Sequence, residues 1–465
     1  MLLAGQTTSR EIIESVATSI SAKNEELGGY LSSDLERALI EAEAADLAGP
    51  LGGIPIALKD NINALDHPCT CASHFLENGY LSPYDATVST RLKKAGAILY
   101  GRTNLDEFAM GSSTENSAFR QTRNPHDPER IPGGSSGGSA AVVAADMAVA
   151  ALGSDTGGSI RQPASHCGVV GLKPSYGRVS RYGLVAFASS LDQIGPLTKT
   201  VEDAALLLQV IAGGDDLDST CIHAAVPSYV ANMSDGVEGM KLGVPREFFA
   251  DEGLDPAVRT QVELALAQLE SAGAELVEIG LPSTSFAVAT YYVLAPAEAS
   301  SNLSRYDGVR YGQRVDEGDG VIEMYRRSRA RGFGPEVKRR IILGTYVLSS
   351  GYSGKYYLKA QKARTLIQRE YQEAFRMVDA IVGPVSPAPA RRIGKFADDP
   401  LQDYLADVYT ISANLAGICG MSVPCGYVER GSSQLPVGLQ ILGPHLGEHT
   451  ILQVGRAWEM IRDGE

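Results

Sequence analysis

Three residues in the first third of the chain have side chains that together suit nucleophilic catalysis. Lys59 follows a short apolar run, Ser135 lies in a glycine-rich segment at 133–139, and Ser159 lies in a second one at 153–161. A serine hydroxyl becomes an effective nucleophile when a base takes its proton. The pKa of a lysine amine that is desolvated at a strand end can fall from about 10.4 toward neutrality, and the neutral amine accepts protons. These residues therefore indicate a serine hydrolase with a lysine base.

The first glycine-rich segment also matches two other kinds of loop. Its GGSSG sequence satisfies the G-x-S-x-G pattern of a nucleophile elbow, and phosphate-binding loops are glycine-rich as well. A phosphate loop requires Lys before its Ser or Thr, whereas residues 138–140 read Gly-Ser-Ala. An elbow requires a histidine base, and no sequence context marks one among His166, His223, His445 and His449. No Ser-x-x-Lys sequence occurs, so a serine–lysine partnership must join distant segments.

Composition narrows the class of protein. The 465 residues are 44% hydrophobic and 21% charged, which is enough for a large core, and their formal net charge is −14 without a long basic run. Such a surface repels phosphate backbones, so we expect a partner to hold any nucleic acid. Six cysteines are too few for a disulfide scaffold and fit a reducing cytoplasm. Cys69 and Cys71 have no second closely spaced cysteine pair, so no metal site is predicted.

The sequence predicts a soluble protein without a membrane partner. The amino terminus, MLLAGQ, lacks the basic and long apolar regions of a secretion signal. The longest nearly apolar stretch, at 140–152, contains Asp146 and falls short of the roughly 20 residues that a spanning helix needs.

The elements that position the three residues follow from capping and hydrophobic periodicity. Capping-box patterns at 8–11 and 33–36 predict two helices before the first strand. The apolar run at 54–58 predicts a buried strand whose carboxyl end carries Lys59, where open α/β sheets bind ligands. Further elements are predicted as helices at 86–95, 256–272 and 355–376 and strands at 97–100 and 380–384. Their alternation indicates the α/β class.

The two glycine-rich segments and their surroundings resemble the amidase signature family. The resemblance runs nearly continuously from residue 132 to residue 174 and includes both serines, with Lys59 upstream at a matching distance. It implies an amidase-signature fold, in which helices cover both faces of a central mixed β-sheet. It also implies a single amidase domain over 1–465, with a signature core at about 52–210 and substrate-pocket and C-terminal elements at about 285–465.

The same resemblance implies a catalytic role for each of the three residues. Ser159 would attack the carbon of a carboxamide, Ser135 would relay the proton from a cis peptide, and neutral Lys59 would receive it. The backbone N–H groups of the second glycine-rich segment would stabilise the developing oxyanion; they belong to Thr156, Gly157, Gly158 and Ser159.

Outside this region the chain resembles one branch of the family, the glutamine-hydrolysing subunits of bacterial tRNA amidotransferases. Residues 300–312, 332–341 and 413–417 carry that resemblance. It implies ammonia release from glutamine for amidation of Glu-tRNA(Gln), with Asp-tRNA(Asn) as an open alternative. It further implies a heterotrimer with B and C subunits, in which a partner holds the tRNA and uses ATP and Mg²⁺ while this chain binds no cofactor.

Free glutamine carries a carboxylate and an ammonium group beside its amide, so a selective pocket requires one fixed cation and one fixed anion. From the family motifs, the resemblance implies Arg340 as the carboxylate clamp and Asp407 as the ammonium partner. Tyr291 would contact the substrate at the pocket mouth, and Arg339 remains an alternative clamp. Two other functions stay open, namely a free-standing amidase for another carboxamide and a non-catalytic scaffold.

Overall fold

One mixed β-sheet of eleven strands runs through the part of the chain that the computed structural model describes, residues 2–77, 79–231, 233, 236–250, 253–396 and 399–464. The strands are β1 (Tyr30–Ser33), β2 (Pro55–Lys59), β3 (Ile98–Thr103), β4 (Ala150–Asp155), β5 (Val170–Lys173), β6 (Gln193–Thr198), β7 (Lys241–Pro245), β8 (Glu275–Ile279), β9 (Ala380–Pro384), β10 (Cys419–Arg430) and β11 (Ser433–Gly443). Their spatial order is β1-β3-β2-β4-β6-β5-β10-β11-β9-β7-β8. The predicted α/β class with a central mixed sheet is confirmed.

The helices of the described ranges pack around this sheet. They are α1 (Ser9–Leu27), α2 (Leu35–Glu43), α3 (Thr87–Lys94), α4 (Gly137–Ala144), α5 (Arg161–Cys167), α6 (Val201–Ile211), α7 (Pro256–Ser271), α8 (Ala287–Asn302), α9 (Val321–Gly332), α10 (Pro335–Leu348), α11 (Tyr357–Ala374), α12 (Pro400–Tyr404), α13 (Ile411–Ala416) and α14 (Glu448–Asp463). None of them combines the length and the apolar character that crossing a membrane requires.

Both faces of the sheet are buried, because alternate side chains of a strand enter two different cores. Ile56 and Leu58 of β2 belong to the larger core, to which α6, α7 and α14 contribute, whereas Ala57 belongs to a second core with α1, α2 and α4. Strands that are covered on both faces read as continuous apolar runs, which is why periodicity located β2 and β9. The division into one domain stays a prediction.

The amino-terminal elements agree only in part with the sequence prediction. The capping box of Thr8 and Glu11 begins α1 as predicted. The N-cap of the second helix is Asp34, one residue after the predicted cap, because Asp34 accepts the N–H of Arg37. The first strand is β1, at the sheet edge beside β3, and not the predicted run at 54–58. Four residues at an edge carry too little periodic signal to be recognised locally.

The topology brings two strand ends together at one edge of the sheet. β2 and β4 are parallel neighbours, so their carboxyl ends, at Lys59 and Asp155, lie side by side. The first glycine-rich segment runs into the start of α4, and the second begins in the last residues of β4 and continues beyond its end. Both segments therefore lie at the same edge as Lys59.

Candidate active site

Lys59 is fully buried at the end of β2 and is surrounded by serine hydroxyls. Its Nζ lies 2.8 Å from the Oγ of Ser135, 2.8 Å from the Oγ of Ser136 and 3.0 Å from the Oγ of Ser154. The carboxylate next to it in sequence, Asp60, forms its ion pair with an arginine instead. The amine therefore lies in a pocket of neutral oxygen atoms.

These contacts suit a neutral amine. Burial lowers the pKa of Lys59 to about 7, although neighbouring carboxylates oppose this shift. The Ser136 hydroxyl donates to the carbonyl oxygen of Ser154 at 3.0 Å, so Ser136 can only accept from Lys59. The Oγ of Ser154 accepts from Asn61 and from Lys59. A neutral amine has two N–H groups for Ser136 and Ser154, which leaves its lone pair for the hydroxyl proton of Ser135.

The structure brings the two predicted catalytic serines into one buried site. The Gly134–Ser135 peptide is cis, as the resemblance implied. The N–H of Ser136 donates to the carbonyl oxygen of Ser159 at 3.1 Å, which joins the two glycine-rich segments. The hydroxyl of Ser159 makes no hydrogen bond with any residue in the described ranges. The contact from Lys59 to Ser135 is thus formed and the contact from Ser135 to Ser159 is open, as is common before substrate binds.

One of the predicted oxyanion donors, the N–H of Gly158, has a partner inside the protein. This group donates to Oδ1 of Asp155 at 2.8 Å. The oxyanion-hole role of Gly158 stays a prediction. The other predicted donors are the N–H groups of Thr156, Gly157 and Ser159.

The carboxylate of Asp155 binds backbone and side-chain groups of the loop that carries Ser159. Its Oδ2 accepts the N–H of Ile160 at 3.1 Å and lies 3.2 Å from Nε of Arg161. Burial raises the pKa of Asp155, but the Arg161 guanidinium outweighs this effect and brings it to about 2. Arg161 also donates to Oδ1 of Asn414 at 2.6 Å. The ionised carboxylate therefore fixes the loop that carries Ser159.

Arg340, the predicted carboxylate clamp, is a buried cation. Its Nε donates to Oε1 of Glu336 at 2.8 Å, and the rings of Phe187, Tyr292 and Tyr404 lie 5.4 to 5.5 Å from its guanidinium carbon. Neither Nη group donates to another residue within the described ranges, so both remain available as donors for a carboxylate. The side chain of Arg339 is 44% exposed, against 3% for Arg340, which favours Arg340 as the clamp.

Asp407 is a buried carboxylate with one unused oxygen. Ser112 donates to Oδ2, whereas Oδ1 has no hydrogen-bond partner among the described residues. A Cβ added to Gly158 would lie 3.1 Å from Oδ1, which places this oxygen next to the nucleophile loop. Burial raises the pKa of Asp407 to about 8. A buried acceptor without a donor is costly, so the geometry suits a cationic ligand group.

Tyr291 lies deeper than its predicted place at the pocket mouth. It is 5% exposed, and a Cβ added to Gly157 would lie 2.9 Å from its ring carbon Cζ. Tyr291 thus packs over Gly157, one of the predicted oxyanion donors. A cavity of about 280 Å³ beside Arg340 is lined in part by Gly111, Ser113, Arg339, Arg340 and Tyr404.

Sequence reasoning missed the polar residues that support the site. They are Ser112, Ser136, Ser154, Asp155 and Arg161. A usable signal was the pair Ser154 and Asp155 at the end of the otherwise apolar β4, because polar groups at a buried strand end require partners. Within the described ranges no group of three or more His, Cys, Asp or Glu side chains is placed to hold a metal ion. The absence of a cofactor from this chain stays a prediction.

Comparison with known proteins gives matches over almost the whole chain. The amidase family model matches residues 11–452. The A subunit of glutamyl-tRNA(Gln) amidotransferase from Akkermansia muciniphila is 59% identical over 447 residues, 96% of this chain and 94% of the relative. The solved structure of the same subunit from Thermotoga maritima is 46% identical with a TM-score of 0.82, covering 97% and 91% of the two chains. Peptide amidase from Stenotrophomonas maltophilia is 30% identical with a TM-score of 0.83, covering 99% and 95%.

Proposed function

The chain belongs to the amidase family, and we propose that within it this protein is the glutamine-hydrolysing A subunit of a glutamyl-tRNA(Gln) amidotransferase. Relatives of that name match nearly its full length at more than half identity. The proposed reaction converts glutamine and water to glutamate and ammonia, and a partner uses the ammonia to amidate Glu-tRNA(Gln).

One structural observation carries the choice of glutamine. A buried cation with unused donors, Arg340, and a buried carboxyl group with a free oxygen, Asp407, both lie close enough to Tyr291 to act on it electrostatically, and Asp407 adjoins the nucleophile loop. Free glutamine presents the complementary pair, a carboxylate and an ammonium group, on its α-carbon, at the other end of the molecule from the side-chain amide. A simple amide substrate would leave both of these buried groups without partners, at a cost in binding.

The proposed acylation step uses the contacts around Lys59. The hydroxyl oxygen of Ser159 attacks the amide carbon, its proton passes to Ser135, and the proton of Ser135 passes to the lone pair of Lys59. The N–H groups of Thr156, Gly157 and Ser159 stabilise the oxyanion, and loss of one such donor typically costs about 3 kcal/mol. The C–N bond then breaks, and the leaving nitrogen takes the proton back as ammonia departs.

Deacylation uses the same residues in reverse. Water attacks the γ-glutamyl ester on Ser159 while Ser135 and Lys59 take its proton. The ester bond breaks, the proton returns to the oxygen of Ser159, and glutamate leaves. Because Lys59 both accepts and returns the proton, no other titratable group is required for the relay.

We propose that the remaining tasks belong to other subunits of a cytoplasmic heterotrimer. The names of the relatives support an assembly, since each is called a subunit. The net charge of −14 supports tRNA binding by a partner, because phosphate contacts require clustered basic groups. ATP and Mg²⁺ are assigned to the partner that activates the tRNA-linked carboxylate.

The test of this function is an ammonia-release assay with purified protein, alone and with the B and C subunits. We expect glutamine to be hydrolysed with a kcat/KM at least about 100-fold above that of small aryl amides, because such amides leave the buried polar groups of Arg340 and Asp407 without partners. Aryl amides turned over faster than glutamine, with and without the partners, would instead support a free-standing amidase. Absence of all amide hydrolysis would support a scaffold.

Replacement of Asp407 by asparagine should weaken glutamine binding selectively. The variant Asp407→Asn removes the charge opposite the ammonium group, and we expect KM to rise about 10- to 100-fold with a smaller change in kcat. Steady-state kinetics with glutamine and with 4-carbamoylbutanoate, which lacks only the amino group, check this. The analogue serves as the internal control, since its KM should change little. An equal rise of KM for both substrates would contradict the ammonium role.

A further inference from the structure

Asp106 is a fully buried carboxylate that the proposed mechanism does not use. Its Oδ2 accepts the N–H groups of Ser113 at 3.3 Å and Thr114 at 2.9 Å. Its Oδ1 accepts the N–H and the side-chain amide of Asn116 at 3.1 and 3.2 Å. No ion pair to Asp106 is found within the described ranges. Backbone and amide N–H groups therefore stabilise a charge that is kept away from water.

The carboxylate lies directly against the segment that carries the relay serine. A Cβ added to Gly134 would stand 2.2 Å from Oδ2 of Asp106, so only glycine allows this approach. The turn that Asp106 caps also holds both ends of the segment, because Thr114 donates to the carbonyl oxygen of Gly133 at 2.8 Å and accepts the N–H of Gly137 at 3.2 Å. The position of the relay serine thus depends on this turn.

Asp106 also acts electrostatically on the base. Among the groups that raise the pKa of Lys59 against the larger effect of burial, Asp106 is the strongest, followed by Asp155, Asp192 and Cys71. Burial raises the pKa of Asp106 itself to about 6, with Asp403 adding to the rise and Lys59 opposing it. Asp106 is therefore ionised at neutral pH, where Lys59 exchanges protons.

The other groups that face Lys59 are committed elsewhere. Asp155 is ion-paired with Arg161. Asp192 accepts the hydroxyl of Thr156 at 2.8 Å and two backbone N–H groups. Burial holds the pKa of the Cys71 thiol well above its usual value, so the thiol stays neutral. Asp106 and Asp192 are thus the anions near Lys59 without an ion pair in the described structure, and Asp106 acts on Lys59 the more strongly of the two.

We propose that Asp106 is a positioning residue of this reaction, whose ionised carboxylate holds the Gly134–Ser135 segment beside Lys59 and stabilises the positive charge that Lys59 gains when it accepts the proton. The inference rests on the proposed hydrolysis of glutamine. It gives the buried turn at 106–116 a role in proton transfer in addition to its role in the fold.

The variant Asp106→Asn tests the proposal, because it removes the charge with little change of shape. We expect kcat at saturating glutamine to fall about 10- to 100-fold. We also expect the acidic limb of the kcat–pH profile to move to lower pH by about one unit, because Lys59 without its anion loses its proton more readily. Saturating glutamine keeps the ionisation of Asp407 out of the profile.

Two further variants separate positioning from charge. Thr114→Val loosens the relay segment and keeps the carboxylate, so kcat should fall while the acidic limb stays in place. Asp127→Asn is the matched control, since Asp127 also caps a turn, by accepting the N–H of Glu129 at 3.1 Å, and pairs with Arg130 away from the site. It should change neither kcat nor the profile.

An acidic limb that stays in place in a folded Asp106→Asn protein would overturn the inference and leave the proposed function intact. A wild-type protein that releases no ammonia from glutamine in the full complex would overturn the proposed function itself. If Asp106→Asn does not fold, Asn116→Ala applies the same test, because it removes one donor that stabilises the charge. Its acidic limb should also move to lower pH, and an unmoved limb there counts equally against the inference.

Discussion

Replacement of Ser159 by alanine is expected to lower kcat for glutamine hydrolysis about 10⁴-fold or more. The hydroxyl of Ser159 is the only group that forms the acyl-enzyme in the proposed mechanism, and loss of a nucleophile typically removes this much of the rate. The side chain makes no hydrogen bond to any residue in the described part of the chain, so its truncation leaves no partner unpaired. Ammonia release measured in single-turnover and steady-state assays checks the result.

The assembled complex provides the control for this variant. With ammonium chloride as the nitrogen source, the complex that contains Ser159→Ala should still amidate Glu-tRNA(Gln), because the partner needs only ammonia. Wild-type protein incubated with glutamine and quenched rapidly should carry a γ-glutamyl adduct on Ser159 by mass spectrometry, and the variant should not. Glutamine-dependent ammonia release that persists in the variant would refute the assignment of the nucleophile.

Replacement of Lys59 by methionine is expected to lower kcat about 10³-fold or more, because methionine fills similar space but cannot accept a proton. Wild-type kcat should fall as the pH drops below about 7, since the pKa of Lys59 lies near this value and the protonated amine has no lone pair. The residual activity of the variant should lack this acidic limb. Lys59→Arg should be equally inactive, because a guanidinium stays protonated at every accessible pH.

Thermal unfolding of the Lys59→Met variant distinguishes lost chemistry from lost structure. The pKa of Lys59 is lowered in the folded protein, so between about pH 7 and 10 the unfolded chain binds more protons and the stability of the wild type rises with pH. Methionine does not titrate, so the variant lacks the loss of folding stability that a buried lysine causes near pH 7. The temperature midpoint of unfolding of the variant at pH 7 should match or exceed that of the wild type. The difference should shrink toward pH 10. Activity within tenfold of the wild type would show that another group is the base.

Local patterns predicted the central elements of the fold and missed elements whose signal is short. Strands β2 and β9 were predicted because they are buried on both faces and so read as apolar runs. The edge strand β1 was missed, because its four residues alternate too little to be told from a loop. The cap of α2 was misplaced by one residue, since Ser33 and Asp34 both suit an N-cap and the chain path from β1 decides between them.

Local sequence also fails to predict which side chains of the proposed substrate pocket are buried. Arg339 and Arg340 are adjacent on α10, and consecutive helical residues point about 100° apart, so local pattern assigns neither to the pocket. Packing against three aromatic rings buries Arg340 and leaves Arg339 at the surface. Tyr291 was expected at the mouth, and its place over Gly157 depends on how α8 crosses the nucleophile loop.

By itself the sequence determined which residue types are available for catalysis and where they lie in local elements. Lys59 at a strand end and two serines in glycine-rich segments are properties of short windows, where composition and spacing carry the information. Which partners these groups meet was decided only by the tertiary structure. The amine of Lys59 meets the hydroxyl of Ser135, and the carboxylate of Asp106 lies against Gly134, because the parallel pairing of β2 with β3 and β4 brings distant segments to one edge. Hydrogen bonding and burial depend on such long-range contacts, which no local window contains.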